Sequence, residues 1–289
     1  MSATEPDVRA TVSRLFVHPV KSCAGVELRE AALMDTGLDL DRAWMVVDHA
    51  GQFFTQRELP RLCLVRPQIR TQDVVLRAPG MLALHVGVHE VDRPARAQVW
   101  RDELACWDMG DVAGQWFSDF LGRPGLRLVR FDPEVRRLAS RQWAGALEAP
   151  IEFADGFPLL VLGQAALDGL NQRLAAAGHA AVGIERFRPN IVLDGLQAHD
   201  EDRLQELRIA TDGGEVILKL VKPCPRCPIP NIDPATGVPS PQVTDALQAY
   251  RADPRLDGAL TFGMNAVIVA GAGQSLRVGD LATADWHFD

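Results

Sequence analysis

The chain has 289 residues, 47% of them hydrophobic and 24% charged, a composition typical of a soluble globular protein long enough for two domains. Its formal net charge of -8 disfavours a general nucleic-acid binder, so an anion site must be a local cluster of Arg and Lys. The opening MSATEPDVRATVSRLF lacks the basic and apolar regions of a signal peptide, and no apolar stretch could span a bilayer, which predicts a cytoplasmic protein without a membrane partner.

The first third of the chain alternates short β-rich segments with turn residues, as β-rich domains do. Strands are predicted in VSRLFVHPV, VELREAALM, AWMVVD and LVRPQIRTQDVVLRAPGMLALHV, and Gly51 predicts a hairpin turn within HAGQFFTQ. Such a series indicates a sandwich or a barrel-like domain. Apolar residues at helical spacing in DVAGQWFSDFLG then predict an amphipathic helix that ends at Gly122, and LRLVRF is predicted as the next strand.

The second half of the chain is predicted to be β-rich as well. Residues 133–150 are rich in Arg and Ala and flanked by prolines, so we place the domain junction in or just before them, with domains at residues 10–130 and 131–287. A helix closed by Gly178 is predicted in GQAALDGLNQRLAAAG. Strands follow in NIVLDG, LQELRIA and GGEVILKLVKP, then a short helix in PQVTDALQAYR and a closing hairpin in NAVIVAGAGQSLRVGDLATA. The predicted fold class is mostly β (α+β), with a few helices.

Two cysteines, Cys224 and Cys227, are separated by two residues in a proline-rich segment, PCPRCPIPNIDP, that follows the strand EVILKLVKP. A thioredoxin-like site needs its first cysteine at a helix start, which Pro228 and Pro230 disfavour. Structural zinc needs four ligands, and the other Cys and His residues are scattered singly. Two interpretations stay open: a buried pair of small apolar residues, or a soft metal that takes one thiolate from a rigid loop and its other ligands from a cofactor.

The cysteine segment also resembles a known signature. The run KPCPRCPIPNIDPATG resembles the signature loop of MOSC domains, the molybdenum cofactor sulfurase C-terminal family, in the branch that contains the amidoxime-reducing proteins. HPVKSC, DRAWMVVD and TQRELPRL resemble the N-terminal β-barrel domain of that family, and FADGFPLLVL, ERFRPNIVLDG and LRVGD resemble the MOSC domain proper. The resemblance implies a MOSC β-barrel preceded by a β-barrel-like domain, with Cys227 as the catalytic thiolate ligand of molybdenum and Cys224 as its neighbour.

The implied cofactor, Mo-molybdopterin, has an anionic phosphate or nucleotide end and a polar pterin edge, so it calls for cations and hydrogen-bonding groups. The resemblance implies that the following residues bind it: Lys21, Ser22, Arg42, Asp155, Gly156, Phe157, Arg188, Asn190 and Arg226.

Within this set the expected roles differ. Lys21, Arg42 and Arg188 are expected on anionic groups, and Ser22 and Asn190 as hydrogen-bond partners. Arg226, together with Lys222, is expected to help keep the cysteine sulfur deprotonated. Because Arg188 precedes a proline, its backbone is expected to be extended.

Other polar and aromatic residues carry weaker signals. Asp155 could accept hydrogen bonds from the pterin amines or cap a turn, and both interpretations stay open. Mammalian members of the branch have hydroxyl-bearing residues after this aspartate, whereas Gly156 and Phe157 here leave only backbone contacts. Trp44, Trp100 and Trp116 are predicted to be core residues instead of a stacking platform, and the histidines show no metal-ligand spacing.

The resemblance implies a two-electron reduction of the N–O bond in hydroxylamines, amidoximes or N-hydroxylated bases. The sequence has no C-x₄-C-x₂-C run and no G-x-G-x-x-G fingerprint, so a ferredoxin, flavoprotein or haem protein is expected to supply electrons. Two alternatives stay open: a sulfur carrier with a persulfide on Cys227, and a cofactor carrier without turnover. A family-level association with pyridoxal phosphate is also implied.

Overall fold

The computed structural model describes residues 5–288. Strands account for 40% of the chain and helices for 19%, which confirms the mostly β (α+β) class. Among the described residues, none of the helices has both the length and the apolar character needed to cross a bilayer.

Nineteen strands and four α-helices run through this part of the chain. The strands are β1 (Val8–Val17), β2 (Val26–Leu28), β3 (Glu30–Met34), β4 (Gly37–Leu38), β5 (Trp44–Val47), β6 (Arg66–Ile69), β7 (Asp73–Arg77), β8 (Leu84–Gly87), β9 (Arg93–Val99), β10 (Asp102–Asp108), β11 (Arg127–Phe131), β12 (Leu159–Gly163), β13 (Ile191–Asp194), β14 (Leu204–Thr211), β15 (Gly214–Pro225), β16 (Ala252–Asp253), β17 (Ala259–Ala270), β18 (Ser275–Arg277) and β19 (Leu281–Trp286). The helices are α1 (Asp111–Leu121), α2 (Arg141–Ala144), α3 (Gln164–Ala176) and α4 (Gln242–Gln248).

Seven strands close into a barrel. Their order is β1, β19, β14, β15, β17, β12 and β13, and β13 pairs back with β1. Only the β12–β13 pair in this ring is parallel. Alternating side chains of β1, such as Val8, Ala10 and Val12, belong to the same buried core as Leu207 of β14 and Leu218 of β15. This alternation between the inside and the outside of the barrel is what period-two strand sequences specify.

The N-terminal region builds two further sheets around helix α1. One is the four-stranded antiparallel sheet β5-β11-β10-β9, and the other is the meander β6-β7-β8. Helix α1 buries Trp116, Phe117 and Phe120 in the core that joins them, and Gly122 ends it in the left-handed region at φ 66°. The predicted helix and the turn at Gly51, where φ is 81°, are both confirmed.

Strand β1 belongs to the N-terminal region by sequence and to the C-terminal barrel by strand pairing. It lies almost wholly within the predicted N-terminal domain of residues 10–130, yet it pairs with β13 and β19. The first segment of the chain therefore supplies one strand of the barrel that residues 131–287 otherwise complete. The boundary between the two domains stays a prediction.

Two predictions about the C-terminal half are wrong. The closing hairpin does not form, because β18 pairs with β3, and β19 lies between β1 and β14. The last strand is needed to close the barrel, and this long-range pairing leaves no local trace in the sequence. Strand β15 also runs on to Pro225, so Cys224 lies inside the strand and only Cys227 follows it. Irregular pairing at Pro223 and Pro225 tolerates their missing N–H groups.

Candidate cofactor site

A cleft of about 350 Å³ lies where the barrel meets the N-terminal region. All ten residues named from the sequence line it: Lys21, Ser22, Arg42, Asp155, Gly156, Phe157, Arg188, Asn190, Arg226 and Cys227. The structure thus brings together residues that are more than 200 positions apart in the chain. Their roles toward a ligand stay predictions.

The motifs HPVKSC and DRAW fold against each other to build one wall. The Asp41 carboxylate accepts the backbone N–H of His18 at 2.8 Å and also pairs with the Arg42 guanidinium. Backbone bonds run from Arg42 N–H to the His18 carbonyl, at 2.9 Å, and from Lys21 N–H to the Trp44 carbonyl, at 2.7 Å. Local sequence chemistry therefore fixes where Lys21 and Arg42 enter the cleft.

Backbone strain is concentrated at this cleft. Of the seven non-glycine residues with positive φ in the described chain, four line it: Ser22 (67°), Arg42 (56°), Trp100 (56°) and Arg188 (56°). Strained backbone of this kind gathers at functional sites. The expected extended backbone at Arg188 is wrong, because this residue ends the short helix Ile184–Phe187 and donates its N–H to the Glu185 carbonyl at 3.2 Å.

Lys21 is a buried cation with two acceptors. Its side chain is only 5% exposed, and its ammonium donates to Asp155 Oδ1 at 2.7 Å and to the Phe153 carbonyl at 2.8 Å. Burial lowers the pKa of Lys21, while Asp155 opposes that shift. Enclosure by protein would raise the pKa of Asp155, but the Lys21 charge and hydrogen bond outweigh it and lower the pKa to about 2. Asp155 is thus ionised at neutral pH, with 69% of its side chain open to the cleft.

Arg42 and Arg188 lie close together, and the Asp41 carboxylate pairs with Arg42. Arg42 Nη2 donates to the Arg188 carbonyl at 3.1 Å, and Arg188 Nη1 donates to the Cys23 carbonyl. The other terminal nitrogen of Arg188, Nη2, is buried and has no acceptor among the described residues. Burial and the Arg42 charge lower the pKa of Arg188 to about 10. A half-buried guanidinium with a buried, unused donor nitrogen is a group whose remaining hydrogen bond an anionic ligand could accept.

Asn190 serves the barrel directly. Its amide accepts from Leu160 N–H at 3.1 Å and donates to the Phe16 carbonyl at 3.2 Å, and the residue is 1% exposed. Its Oδ1 also accepts from Arg42 at 3.3 Å. These bonds give Asn190 a positioning role, in which it joins strand ends and holds the Arg42 guanidinium.

The cleft gathers positive charge in a chain that is acidic overall. One carboxylate lines it, that of Asp155. The seven cationic side chains in its lining are Lys21, Arg42, Arg57, Arg186, Arg188, Lys222 and Arg226. Such an excess in a concave site attracts an anion and concentrates the field that acts on it.

The two cysteines differ in their surroundings. Cys227 is half-buried on the cleft wall, beyond the end of β15. Burial raises the pKa of Cys224, so this thiol stays protonated at neutral pH. No cluster of three or more His, Cys, Asp or Glu side chains suited to a metal occurs between residues 5 and 288.

Arg226 faces the protein. Its guanidinium donates to the carbonyls of Phe187, at 3.0 Å, and Phe262, at 2.9 Å from Nε. Its charge acts on the cleft through space, while its hydrogen bonds hold the cysteine segment to the barrel. Gly156, by contrast, has no atom within 4 Å of where a Cβ would stand, so a ligand has room against its backbone.

Sequence reasoning missed part of the lining. Thr55 and Arg57 line the cleft from TQRELPRL, whose resemblance to the family motif marked the segment without singling out either residue. Trp44 and Trp116 are buried as predicted, but the core prediction for Trp100 is wrong, because 44% of it is exposed on the cleft. The signal for Trp100 was its place between two strand-like segments, ARAQV and DELACW, where a turn residue would be expected.

Comparison with known proteins agrees with this arrangement. The sequence profile of the MOSC N-terminal beta barrel domain matches residues 9–124, and that of the MOSC domain matches residues 148–283. The chain belongs to the MOSC family. It is 33% identical over 286 residues to mitochondrial amidoxime reducing component 2 of Rattus norvegicus, covering 93% of this chain and 82% of the relative.

Two further relatives place the chain within that family. It is 35% identical over 250 residues to mitochondrial amidoxime-reducing component 1 of Homo sapiens, covering 83% of this chain and 72% of the relative. It is also 29% identical over 263 residues to molybdenum cofactor sulfurase of Bos taurus, covering 85% of this chain but only 29% of that protein.

Proposed function

We propose that this MOSC protein is a molybdenum-cofactor-dependent oxidoreductase that reduces N-hydroxylated compounds. One observation carries the proposal: a half-buried thiol, Cys227, shares a strongly cationic cleft with Arg188, whose buried Nη2 lacks an acceptor among the described residues. The names of the amidoxime-reducing relatives support the same reaction class.

The residues present fit the cofactor. An anionic end would accept from Arg188 Nη2 and face the Arg42 and Lys21 charges, and the space beside Gly156 would admit a flat ring. Cys227 would be the soft protein ligand of the metal. When bound, the cofactor supplies the two-electron chemistry, in which two electrons and two protons convert an N–OH group to N–H and release water.

The residues of the chain would bind and orient the substrate and hold charged groups in place around it. Asp155 is ionised, so it accepts hydrogen bonds and does not donate a proton. Protons would therefore come from water that enters the open side of the cleft. Lys21 fixes the Asp155 carboxylate, so an N–H group of a substrate or of the pterin would meet an acceptor that is already positioned.

Electrons would come from an external ferredoxin, flavoprotein or haem protein in the cytoplasm. The test is to purify the protein, measure molybdenum and pterin, and assay hydroxylamine reduction with a dithionite-reduced dye. We expect turnover with the dye, and turnover with NADH only after a reductase and an electron carrier are added. A molybdenum-loaded protein that leaves hydroxylamine unchanged, or that uses NADH unaided, contradicts the proposal.

A persulfide carrier is the second candidate, favoured by the similarity to molybdenum cofactor sulfurase and by the partial exposure of Cys227. Mass spectrometry separates the two. A carrier gains one sulfur atom on Cys227 after incubation with a cysteine desulfurase and cysteine, and it transfers that sulfur to an acceptor. Molybdenum retention without such transfer supports the reductase.

A further inference from the structure

Trp100 occupies a turn position that a tryptophan rarely takes. Strands β9 and β10 pair Val99 with Asp102, which leaves Trp100 and Arg101 as a two-residue turn. Trp100 has φ 56°, while Arg101 is not among the residues with positive φ. Two-residue turns with positive φ at the first position favour glycine there. A bulky side chain at this place works against the turn, which points to a use for the indole.

Three contacts hold the indole in one orientation, and a fourth supports the backbone of its turn. Its Nε1 donates to Asp155 Oδ1 at 3.1 Å. This bond links the N-terminal region to the segment that precedes β12. The Phe53 ring meets it edge-on at 5.1 Å, and the Arg57 guanidinium lies 4.8 Å from its centroid. Gln98 Nε2 donates to the Trp100 carbonyl at 2.9 Å and steadies the turn. The ring is thus fixed before any ligand arrives.

The indole remains open to the cleft despite these contacts. Trp100 is 44% exposed, whereas the groups expected to hold the cofactor, such as Lys21 and Asn190, are 4% and 1% exposed. Trp100 therefore stands with Asp155 on the open side of the cleft, while Lys21 and Asn190 lie at its floor. A fixed, exposed aromatic ring gives a planar ligand a stacking surface with little loss of side-chain entropy.

We propose that Trp100 is a specificity-determining residue that stacks the planar part of conjugated N-hydroxylated substrates, such as aryl amidoximes or N-hydroxylated bases. This inference rests on the proposed reductase function. It predicts that the site favours a substrate with an aromatic ring over an aliphatic one that carries the same reacting group.

The test compares benzamidoxime with acetamidoxime, which share the amidoxime and differ in the ring. Trp100→Gly removes the indole and leaves a residue that tolerates positive φ, so the turn is retained. Trp100→Phe keeps an aromatic face and loses the bond to Asp155. We expect Trp100→Gly to lower kcat/KM for benzamidoxime about tenfold to a hundredfold, mainly through KM, with little change for acetamidoxime. Trp100→Phe should recover most of the benzamidoxime rate.

Other outcomes overturn the inference. Equal losses for both substrates, or a lower pterin and molybdenum content in Trp100→Gly, would mean that Trp100 holds the cofactor or the fold. Benzamidoxime binding to the loaded protein is also measured without turnover, by calorimetry. If the wild-type protein reduces neither compound, the proposed function fails, and the calorimetry still decides the role of Trp100: weaker binding by Trp100→Gly supports it, and unchanged binding refutes it.

Discussion

Replacing Arg188 by methionine should make the cofactor-free protein more stable and its anion site weaker. Burial and the neighbouring Arg42 lower the pKa of Arg188 to about 10, which corresponds to about 3 kcal/mol of unfavourable free energy for the charged side chain. Methionine removes that charge but also the bond from Nη1 to the Cys23 carbonyl, a loss of about 1 kcal/mol. The net expectation is a gain in unfolding free energy of about 1 to 2 kcal/mol.

The same substitution should weaken cofactor retention. A charge-assisted hydrogen bond to a phosphate is worth about 1.5 to 3 kcal/mol, so retention should fall about tenfold to a hundredfold. The assay has two parts: urea unfolding of cofactor-free protein, and the pterin content of loaded protein after dialysis. Arg96→Met is the matched control, because the Arg96 side chain is 77% exposed and pairs with Glu103 at the surface.

The two parts of the assay can fail separately. If Arg188→Met lowers the unfolding free energy of the cofactor-free protein, neighbouring groups already compensate the Arg188 charge. The argument that burying this charge destabilises the protein is then refuted. If the variant keeps its pterin as well as Arg96→Met does, Arg188 lies outside the anion site, whatever its effect on stability.

Two further predictions concern the cysteines and a buried acid. Cys227→Ala should abolish activity and molybdenum retention while Cys224→Ala keeps much of both, and equal losses measured by metal analysis would contradict the ligand assignment. Burial, with a smaller effect of Asp202, raises the pKa of Glu201 to about 7. Between about pH 5 and 7 the folded protein therefore holds a proton that the unfolded chain releases, and the free energy of unfolding falls as the pH rises through this range. In urea unfolding, Glu201→Gln should reduce the loss of unfolding free energy between pH 5 and 8 by about 3 kcal/mol. The same pH dependence in the variant and the wild-type protein would refute this role of Glu201.

Short motifs predicted the lining of the cleft because their chemistry is local. Asp41 binds both the His18 N–H and the Arg42 guanidinium, so bonds between two motifs that are close in sequence position much of this wall. The prolines around Cys224 and Cys227 likewise exclude a regular helix by their own geometry. Where a residue's position follows from its neighbours in sequence, the sequence was enough to predict that the residue lines the cleft.

Features that depend on distant partners were not predictable in this way. The extended backbone expected at Arg188 from its following proline gave way to a left-handed cap on the preceding short helix. Strand β18 has the alternation of a hairpin arm, yet its partner is β3, far earlier in the chain. Trp100 looked like a core residue because large aromatics usually are, and only the β9–β10 register places it in an exposed turn.

The placement of β1 explains how the cleft comes to lie between the two parts of the chain. Phe16, near the end of β1, accepts from the Asn190 amide, and its N–H donates to the Asn190 carbonyl at 2.9 Å. HPVKSC follows directly, so closing the barrel with β1 brings Lys21 to the barrel mouth, where it meets Asp155. Neither domain alone holds both members of that pair. The cationic cleft therefore forms only when the first strand of the chain is paired into the barrel, which couples the folding of the two domains to the assembly of the site.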